Sequence, residues 1–477
     1  MRAAAIADPG ALAVVGAGGA LTYGDLDRQV AVAAEGIGEQ GLGAGARVAL
    51  YLQKDEPYFV LLLALIRAGC VACPLSTLLP PHGAAPLLQK ISCRALISSD
   101  EELLEETDAV IQGLRPQRLL ADEPAARDHS LDSNPLRLAL DRPSTIVFTS
   151  GSAGEAKAAL HTFGNHYYNA LGSNANIALA PGDRWLHSLP LYHVGGLSIL
   201  FRCLLAGATV ALPQPGASLG KAIADGGATH VSLVSTQLLR LLREADLEAG
   251  KLKAILLGGG PIPVPLVDGA TARGLPIHTS YGLTEMASQV TATPPGASCE
   301  ELRTSGRPLP HREISIREDG EILVRGETLF TGYVEGEAVE RPQDAEGWFH
   351  TGDLGELRTD GYLRVRGRKD NRFISGGENV QPEEIEEALC RLQGVEEAVV
   401  VPVPDAEFGS RPVAFVRTAG GKFGDLARPL EPVLPRFKIP VAFHEWPEGG
   451  EGMKVDRRSF RERALRSDRE GHGPGLL

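Results

Sequence analysis

Ser144-Thr145-Ile146-Val147-Phe148-Thr149-Ser150-Gly151-Ser152-Ala153-Gly154-Glu155-Ala156-Lys157 is an apolar, β-branched run that passes directly into a loop of hydroxyls and glycines. The first part has the composition of a buried strand. In the second, small residues let backbone N–H groups turn inward on phosphate oxygens, and the hydroxyls add donors. A Walker loop would read G-x-x-x-x-G-K-[ST]. Counted from Gly151, Ala156 stands at the second glycine and Ala158 at the Ser/Thr position. The segment is therefore a phosphate loop of another kind, or a flexible turn.

Outward from this stretch, apolar runs ended by glycine, proline or hydroxyl residues alternate with helical patterns. Arg47–Leu52, Cys70–Leu75, Ala95–Ser98, Thr209–Leu212, Val231–Val234 and Ala254–Leu257 read as strands. Asp25–Glu39, with Thr22 as N-cap, Pro57–Arg67 and Thr236–Ala245 read as helices. That alternation predicts an α/β fold with largely parallel sheets. Ala121–Asp141 is polar and aperiodic and reads as a connecting loop. From Glu313 the pattern changes to short strands such as Glu321–Val324 and Tyr362–Val365. From Pro382 it reads helix, strand (Ala398–Val403), strand (Pro412–Arg417), helix, a small α+β module.

At 477 residues the chain is long enough for two or three domains. A formal net charge of −13 argues against nucleic-acid binding, which needs a basic footprint. Anionic nucleotides are still accessible to an acidic chain, because backbone N–H groups and a few placed cations bind them locally. The longest apolar run, Phe59–Ile66, is far short of a membrane span, and the N-terminal apolar stretch is broken by Asp8 and Pro9. A soluble cytoplasmic protein without membrane insertion is expected; the oligomeric state stays open. Cys70 and Cys73 form a C-x-x-C, but with no second pair nearby, small buried cysteines explain it better than zinc or redox chemistry.

Further blocks follow in order: Gly258-Gly259-Gly260; Tyr281-Gly282-Leu283-Thr284-Glu285; Trp348-Phe349-His350-Thr351-Gly352-Asp353; Gly367-Arg368-Lys369-Asp370-Asn371; Ile374-Ser375-Gly376-Gly377-Glu378-Asn379; and Gly452-Met453-Lys454. Together with the loop they resemble the adenylate-forming superfamily of acyl-CoA synthetases, adenylation domains and luciferases. The resemblance runs from Leu21-Thr22-Tyr23 to Lys454. It implies a large N-terminal ATP- and acyl-binding body over 1–369 and a small mobile cap over 370–477, with Asp370 as hinge. It implies ATP and Mg²⁺, with coenzyme A as co-substrate. Thr149, Ser150, Gly151, Ser152, Gly154, Lys157 and Thr284 would surround the phosphates, and Glu285 would help hold Mg²⁺. Tyr281 and Gly282, with Gly258–Gly260 close by, would contact adenine. Asp353 would take the ribose hydroxyls and Arg368 the ribose or phosphate. Lys454 would stabilise the charge that develops as a carboxylate attacks the α-phosphorus. Ser375, Gly376 and Gly377 would border the tunnel for the CoA thiol. The loop departs from the family pattern at Ala153, Ala156 and Ala158, and Glu155 adds a negative charge, so weaker ATP binding or a differently placed loop is expected.

Within the superfamily, His161–Ser173, Leu189–Arg202 and Thr284–Gln289 look like the o-succinylbenzoate–CoA ligases of menaquinone biosynthesis. That substrate has two carboxylates, of which one must be held while the other reacts. Arg202 is the candidate cation, since Arg–carboxylate pairing is bidentate; Ser235 and Ser288 would add hydrogen bonds, and His193 would stand at the mouth of the acyl pocket. Another acyl- or aryl-CoA ligase, or a degenerate nucleotide-binding protein, are the alternatives.

Overall fold

The strand–helix alternation closes into two large mixed sheets with a common core between them. The computed structural model describes residues 1–107, 111–120, 137–150, 156–244, 251–418, 420, 424–447 and 456–469. One sheet runs, in spatial order, Arg307–Pro308, Ser288–Ala292, Ile277–Leu283, Ala254–Leu257, His230–Leu233, Arg184–Leu186, Thr209–Ala211, Leu12–Gly16 and Gly19–Thr22. The other runs Ala338–Glu340, Gly332–Glu335, Ala156–Thr162, Pro143–Ser150, Val71–Pro74, Arg47–Tyr51, Ala95–Ser98 and Gln112–Leu114. The expected parallel pairing holds in each centre and extends to the edge strand Gln112–Leu114, whereas antiparallel pairs complete the first sheet at both ends and the second at the end opposite Gln112–Leu114. The reason lies in the connections: parallel neighbours need a crossover, whereas strands such as Leu12–Gly16 and Gly19–Thr22 are joined by a short turn.

Helices Tyr23–Glu39, Glu56–Ala68 and Val194–Ala206 contribute to the core shared by the two sheets. Glu56–Ala68 is buried from Tyr58 through Ile66, which explains why it is apolar on all faces. Tyr23–Glu39 starts at a reciprocal cap in which Thr22 Oγ1 accepts from the Asp25 N–H and Asp25 accepts from the Thr22 N–H, both at 3.1 Å.

Arg312–Ile316, Glu321–Gly326, Phe349–Leu357 and Leu363–Arg368 form an antiparallel sheet. Beyond it comes a smaller α+β domain. The hairpin Phe373–Ser375/Glu378–Val380 leads to helix Pro382–Cys390 and to a sheet of Val395–Asp405, Gly409–Thr418 and Ala442–Glu445, with helix Arg457–Arg469 last. Its core has its own residues, among them Ile385, Leu389, Val400, Ala414 and Leu430. The parallel strand Ala442–Glu445 is an addition to the sequence reading; four residues with a remote partner carry no periodic signal. Most of the expected Ala121–Asp141 loop lies outside the described residues. Cys70 and Cys73 are buried free thiols, and burial pushes Cys70 up to about 11, as structural cysteines require. Among the described residues no helix is long and apolar enough to cross a membrane.

Several histidines are buried neutral. Desolvation holds His161 at about 4 and His187 at about 3, below the ordinary 6.5, and holds His166 well down beside them. Such groups contribute stability that is complete above pH 6.5 and lost as the pH falls through their folded values, because the unfolded chain binds the protons first. We expect the melting temperature to drop between about pH 7 and pH 5. A flat profile over that interval would mean these rings are solvated.

Candidate active site

Strand Ile277–Leu283 carries Tyr281 to the edge of the antiparallel sheet, where its hydroxyl donates to Asp353 Oδ2 at 2.6 Å. Arg368 Nη1 donates to Asp353 Oδ1 at 3.0 Å and to the Thr351 carbonyl at 3.2 Å. Burial pushes the Asp353 carboxyl up, and Arg368 and Tyr281 pull against it. Gly258–Gly260 follows the neighbouring strand Ala254–Leu257. A Cβ at Gly258 would come within 2.7 Å of Ser280 Oγ, which itself donates to the Leu257 carbonyl, so the backbone passes here only without a side chain. Tyr281, Gly258–Gly260, Asp353 and Arg368 thus surround one region, although they are far apart in the chain.

Thr149 lies opposite Lys157 across the hairpin Pro143–Ser150/Ala156–Thr162. The quoted loop therefore joins two antiparallel strands and does not open a helix, which is the physical reason the Walker pattern fails. Lys157 Nζ stands 4.8 Å from the centre of the Tyr333 ring, and the Tyr333 hydroxyl donates to Glu285 Oε1 at 2.6 Å. His161 Nε2 contacts the Thr284 carbonyl at 2.7 Å, and the Phe330 N–H donates to the Glu285 carbonyl at 2.8 Å, fixing the turn Thr284–Met286. Glu285 keeps acceptor capacity beyond the Tyr333 bond. One hard oxygen ligand of this kind fits Mg²⁺, which binds through one or two carboxylates plus substrate phosphates. The Ser150 side chain, Gly151, Ser152, Gly154 and Lys454 lie outside the described residues.

On the other side of strand Ser288–Ala292 stands helix Val194–Ala206, with His193 at its N-cap and the His193 and Tyr192 rings edge to face at 4.7 Å. Arg202 is only 1% exposed. Its Nη2 donates to Gln289 Oε1 at 2.8 Å, and its guanidinium lies 5.2 Å from the Trp185 ring centre. A guanidinium can only donate, so the amide oxygen of Gln289 must face it. That leaves Arg202 Nε and Gln289 Nε2 as buried donors without partners. Desolvation pulls Arg202 down to about 9, as expected for a cation with no carboxylate beside it. A second buried arginine, Arg312, donates to the Gln289 carbonyl and is itself lowered to about 9 by desolvation and by Arg202. One turn before Arg202, Ser198 Oγ donates to Ser288 Oγ at 3.3 Å. Ser235 Oγ donates to the Pro261 carbonyl at 2.6 Å.

Asp370 is exposed in the single turn Lys369–Asn371, 3.5 Å from Arg368 Nη2. Ser375 is buried, and Gly376 has φ +59 with its N–H donating to the Phe408 carbonyl at 2.9 Å. A Cβ at Gly376 would meet the Phe408 ring at 2.8 Å, and beside Gly377 there is open space.

Residues 1–334 match the family model described as AMP-binding enzyme, and residues 384–448 match its C-terminal domain. The chain belongs to the AMP-binding enzyme family.

Among relatives of this AMP-binding enzyme, the 2-succinylbenzoate–CoA ligase of Bacillus subtilis (strain 168) is 32% identical over 435 residues, 89% of this chain and 88% of the relative. That of Salmonella typhimurium (strain LT2) is 38% identical over 459 residues, 93% of this chain and 92% of the relative. An arginine-to-lysine variant of E. coli MenE with bound OSB-AMS superposes with a TM-score of 0.84 at 32% identity, covering 98% of both chains. B. subtilis MenE in complex with ATP and magnesium ion superposes with a TM-score of 0.82 at 31% identity, covering 93% of this chain and 94% of that one.

Two residues of this AMP-binding enzyme's site carry no assignment in the sequence. Tyr333 lies far along the chain on strand Gly332–Glu335, which sheet pairing sets beside the strand of Lys157, with Tyr333 opposite Ala159. Gln289 lies inside a quoted stretch, but a glutamine gives no signal until its partner, here Arg202, is known.

Proposed function

We propose that this AMP-binding enzyme is an acid–thiol ligase of menaquinone biosynthesis, acting in the cytoplasm. It converts o-succinylbenzoate to its acyl-adenylate with release of pyrophosphate and then transfers the acyl group to coenzyme A, giving o-succinylbenzoyl-CoA and AMP. The observation that carries the substrate is the buried Arg202–Gln289 pair with two unfilled donors. A second carboxylate would fill both, in a wall that also contains Trp185. A fatty-acyl pocket has no use for a desolvated guanidinium.

In the first half-reaction the succinyl carboxylate attacks the α-phosphorus, an O–P bond forms and pyrophosphate leaves. Tyr281 and the Gly258–Gly260 backbone flank adenine, with Gly282 beside them. The Asp353 carboxylate has about four lone-pair sites, so two remain for ribose hydroxyls after Tyr281 and Arg368 are served. Thr149, Ser150, Gly151, Ser152, Gly154, Lys157 and Thr284 surround the phosphates. Glu285, oriented by Tyr333, would hold Mg²⁺, whose charge offsets that of the phosphates when bound. Lys454 adds its ammonium to the developing charge. The cap begins after Lys369 and turns on Asp370; in its second orientation Ser375–Gly377 borders the path of the thiol, which displaces AMP from the acyl carbon. Ser288 and His193 line the acyl side. Ser235 joins them only if its hydroxyl accepts while donating to Pro261.

The test is pyrophosphate release with a panel of acids, with and without coenzyme A. o-Succinylbenzoate should turn over and yield a thioester, and benzoate and palmitate should not. Equal rates with palmitate would remove the substrate assignment but keep the ligase; no release with any acid would leave a nucleotide binder.

A further inference from the structure

Lys454 lies three residues before Arg457, so their Cα atoms are at most about 11 Å apart however the chain runs. Where Arg457 is fixed therefore limits where Lys454 can reach. Arg457 opens helix Arg457–Arg469, the end at which the helix dipole disfavours a cation, so its position needs another cause. The cause is a clamp. Nη1 donates to Glu386 Oε1 and, at 2.9 Å, to the Val400 carbonyl; Nη2 donates to Glu386 Oε2 at 2.7 Å and to Glu383 Oε1 at 3.2 Å. Glu386 is buried and also accepts from the Val400 N–H at 2.7 Å, which ties the clamp to strand Val395–Asp405 of the small domain's sheet.

Glu383 faces the hinge as well. It accepts from Asn371 Nδ2 at 2.6 Å and from Gln381 Nε2 at 2.5 Å, and Gln381 donates to the Arg368 carbonyl at 2.9 Å. Asn371 and Arg368 stand on either side of Asp370. A continuous polar chain thus runs from Asp353 through Arg368, Gln381 and Glu383 to Arg457. A merely structural salt bridge would not need to reach across the turn that separates the two domains.

We propose that Arg457 is a positioning residue for adenylation: clamped by Glu383 and Glu386, it sets the point from which Lys454 is presented, and Glu383 couples that point to the hinge. The inference rests on the reading of Lys454 given above. Adenylation depends on an ammonium placed within a fraction of an ångström, and a displacement of about 1 Å can lower a rate about 100-fold. Thioester formation does not use Lys454.

The experiment measures both half-reactions on the full chain: single-turnover pyrophosphate release from ATP, Mg²⁺ and o-succinylbenzoate, and thioester formation from pre-made adenylate and coenzyme A. Arg457→Met should slow the first about 100-fold and leave the second near the parent rate. Arg457→Lys should recover part of the loss. Glu383→Gln, which keeps the shape of the clamp but not its charge, should show the same selective loss at smaller size, and serves if Arg457→Met does not fold. Equal loss of both half-reactions, or unchanged adenylation, overturns the proposal. Lys454→Ala in the same assay separates the two ideas. If it leaves adenylation intact, the reading of Lys454 falls and this inference with it; if it is slow while Arg457→Met is fast, only this inference falls.

Discussion

Lys454→Ala is expected to slow pyrophosphate release from ATP and o-succinylbenzoate by about 100- to 1,000-fold, the loss typical of removing one preorganised donor from a developing anion. The substrate is its own nucleophile, so the protein has no bond to make in this step. What it can supply is position and positive charge. As the carboxylate closes on phosphorus, charge spreads over the equatorial oxygens and onto pyrophosphate, and a fixed ammonium lowers that barrier more than it lowers the ground state. The loss should therefore fall on kcat more than on the apparent affinity for ATP. The thioester step, started from synthetic o-succinylbenzoyl-adenylate, should proceed near the parent rate, because AMP then leaves from an already activated acyl carbon. Equal slowing of the two steps would contradict a cap that presents different residues in its two orientations.

Arg202→Met should have effects of two kinds. Methionine fills a similar volume without charge, so catalytic efficiency with the diacid should fall by about 1.5–3 kcal/mol, the worth of a hydrogen bond to a charged group, or roughly 10- to 150-fold. The analogue lacking the ring carboxylate should not be affected in this way, so the selectivity between the two acids collapses. Stability should respond differently. The variant strands Gln289 Oε1 without its donor in a buried position, a penalty of about 1–3 kcal/mol. Adding Gln289→Leu removes both partners, and the double variant should melt higher than the single one. An unchanged apparent KM for the diacid would show that the guanidinium faces no substrate, whatever it does for the fold.

Much of this was legible in the linear chain because it is written locally. The Thr22 cap, the all-apolar helix around Leu61–Leu65 and the strand Ala254–Leu257 follow from patterns a few residues long, and the family blocks from Gly258 to Asp370 each sit on one turn or strand end. The edges of the sheets were not legible. Whether a short strand such as Ser288–Ala292 pairs parallel or antiparallel depends on the length of its connection and on the neighbour it finds. Arg202 shows the same division: the sequence could name it as a cation at the end of an apolar run, but solvent and pocket were equally open to it until its burial against Trp185 was known.

The sequence by itself determined the strand–helix alternation of the α/β body and the type of chemistry, since these depend on residue identity at short spacing. Only the tertiary structure decided that Tyr333 bridges Lys157 and Glu285, that Gln289 answers Arg202, and that Glu383 joins Arg457 to Asn371. Each of these pairs is separated by tens of residues or more, with one exception, the short span from Asn371 to Glu383. Their contact arises because burying apolar faces brings remote strands and helices together, and the polar groups carried along must then find partners where they land.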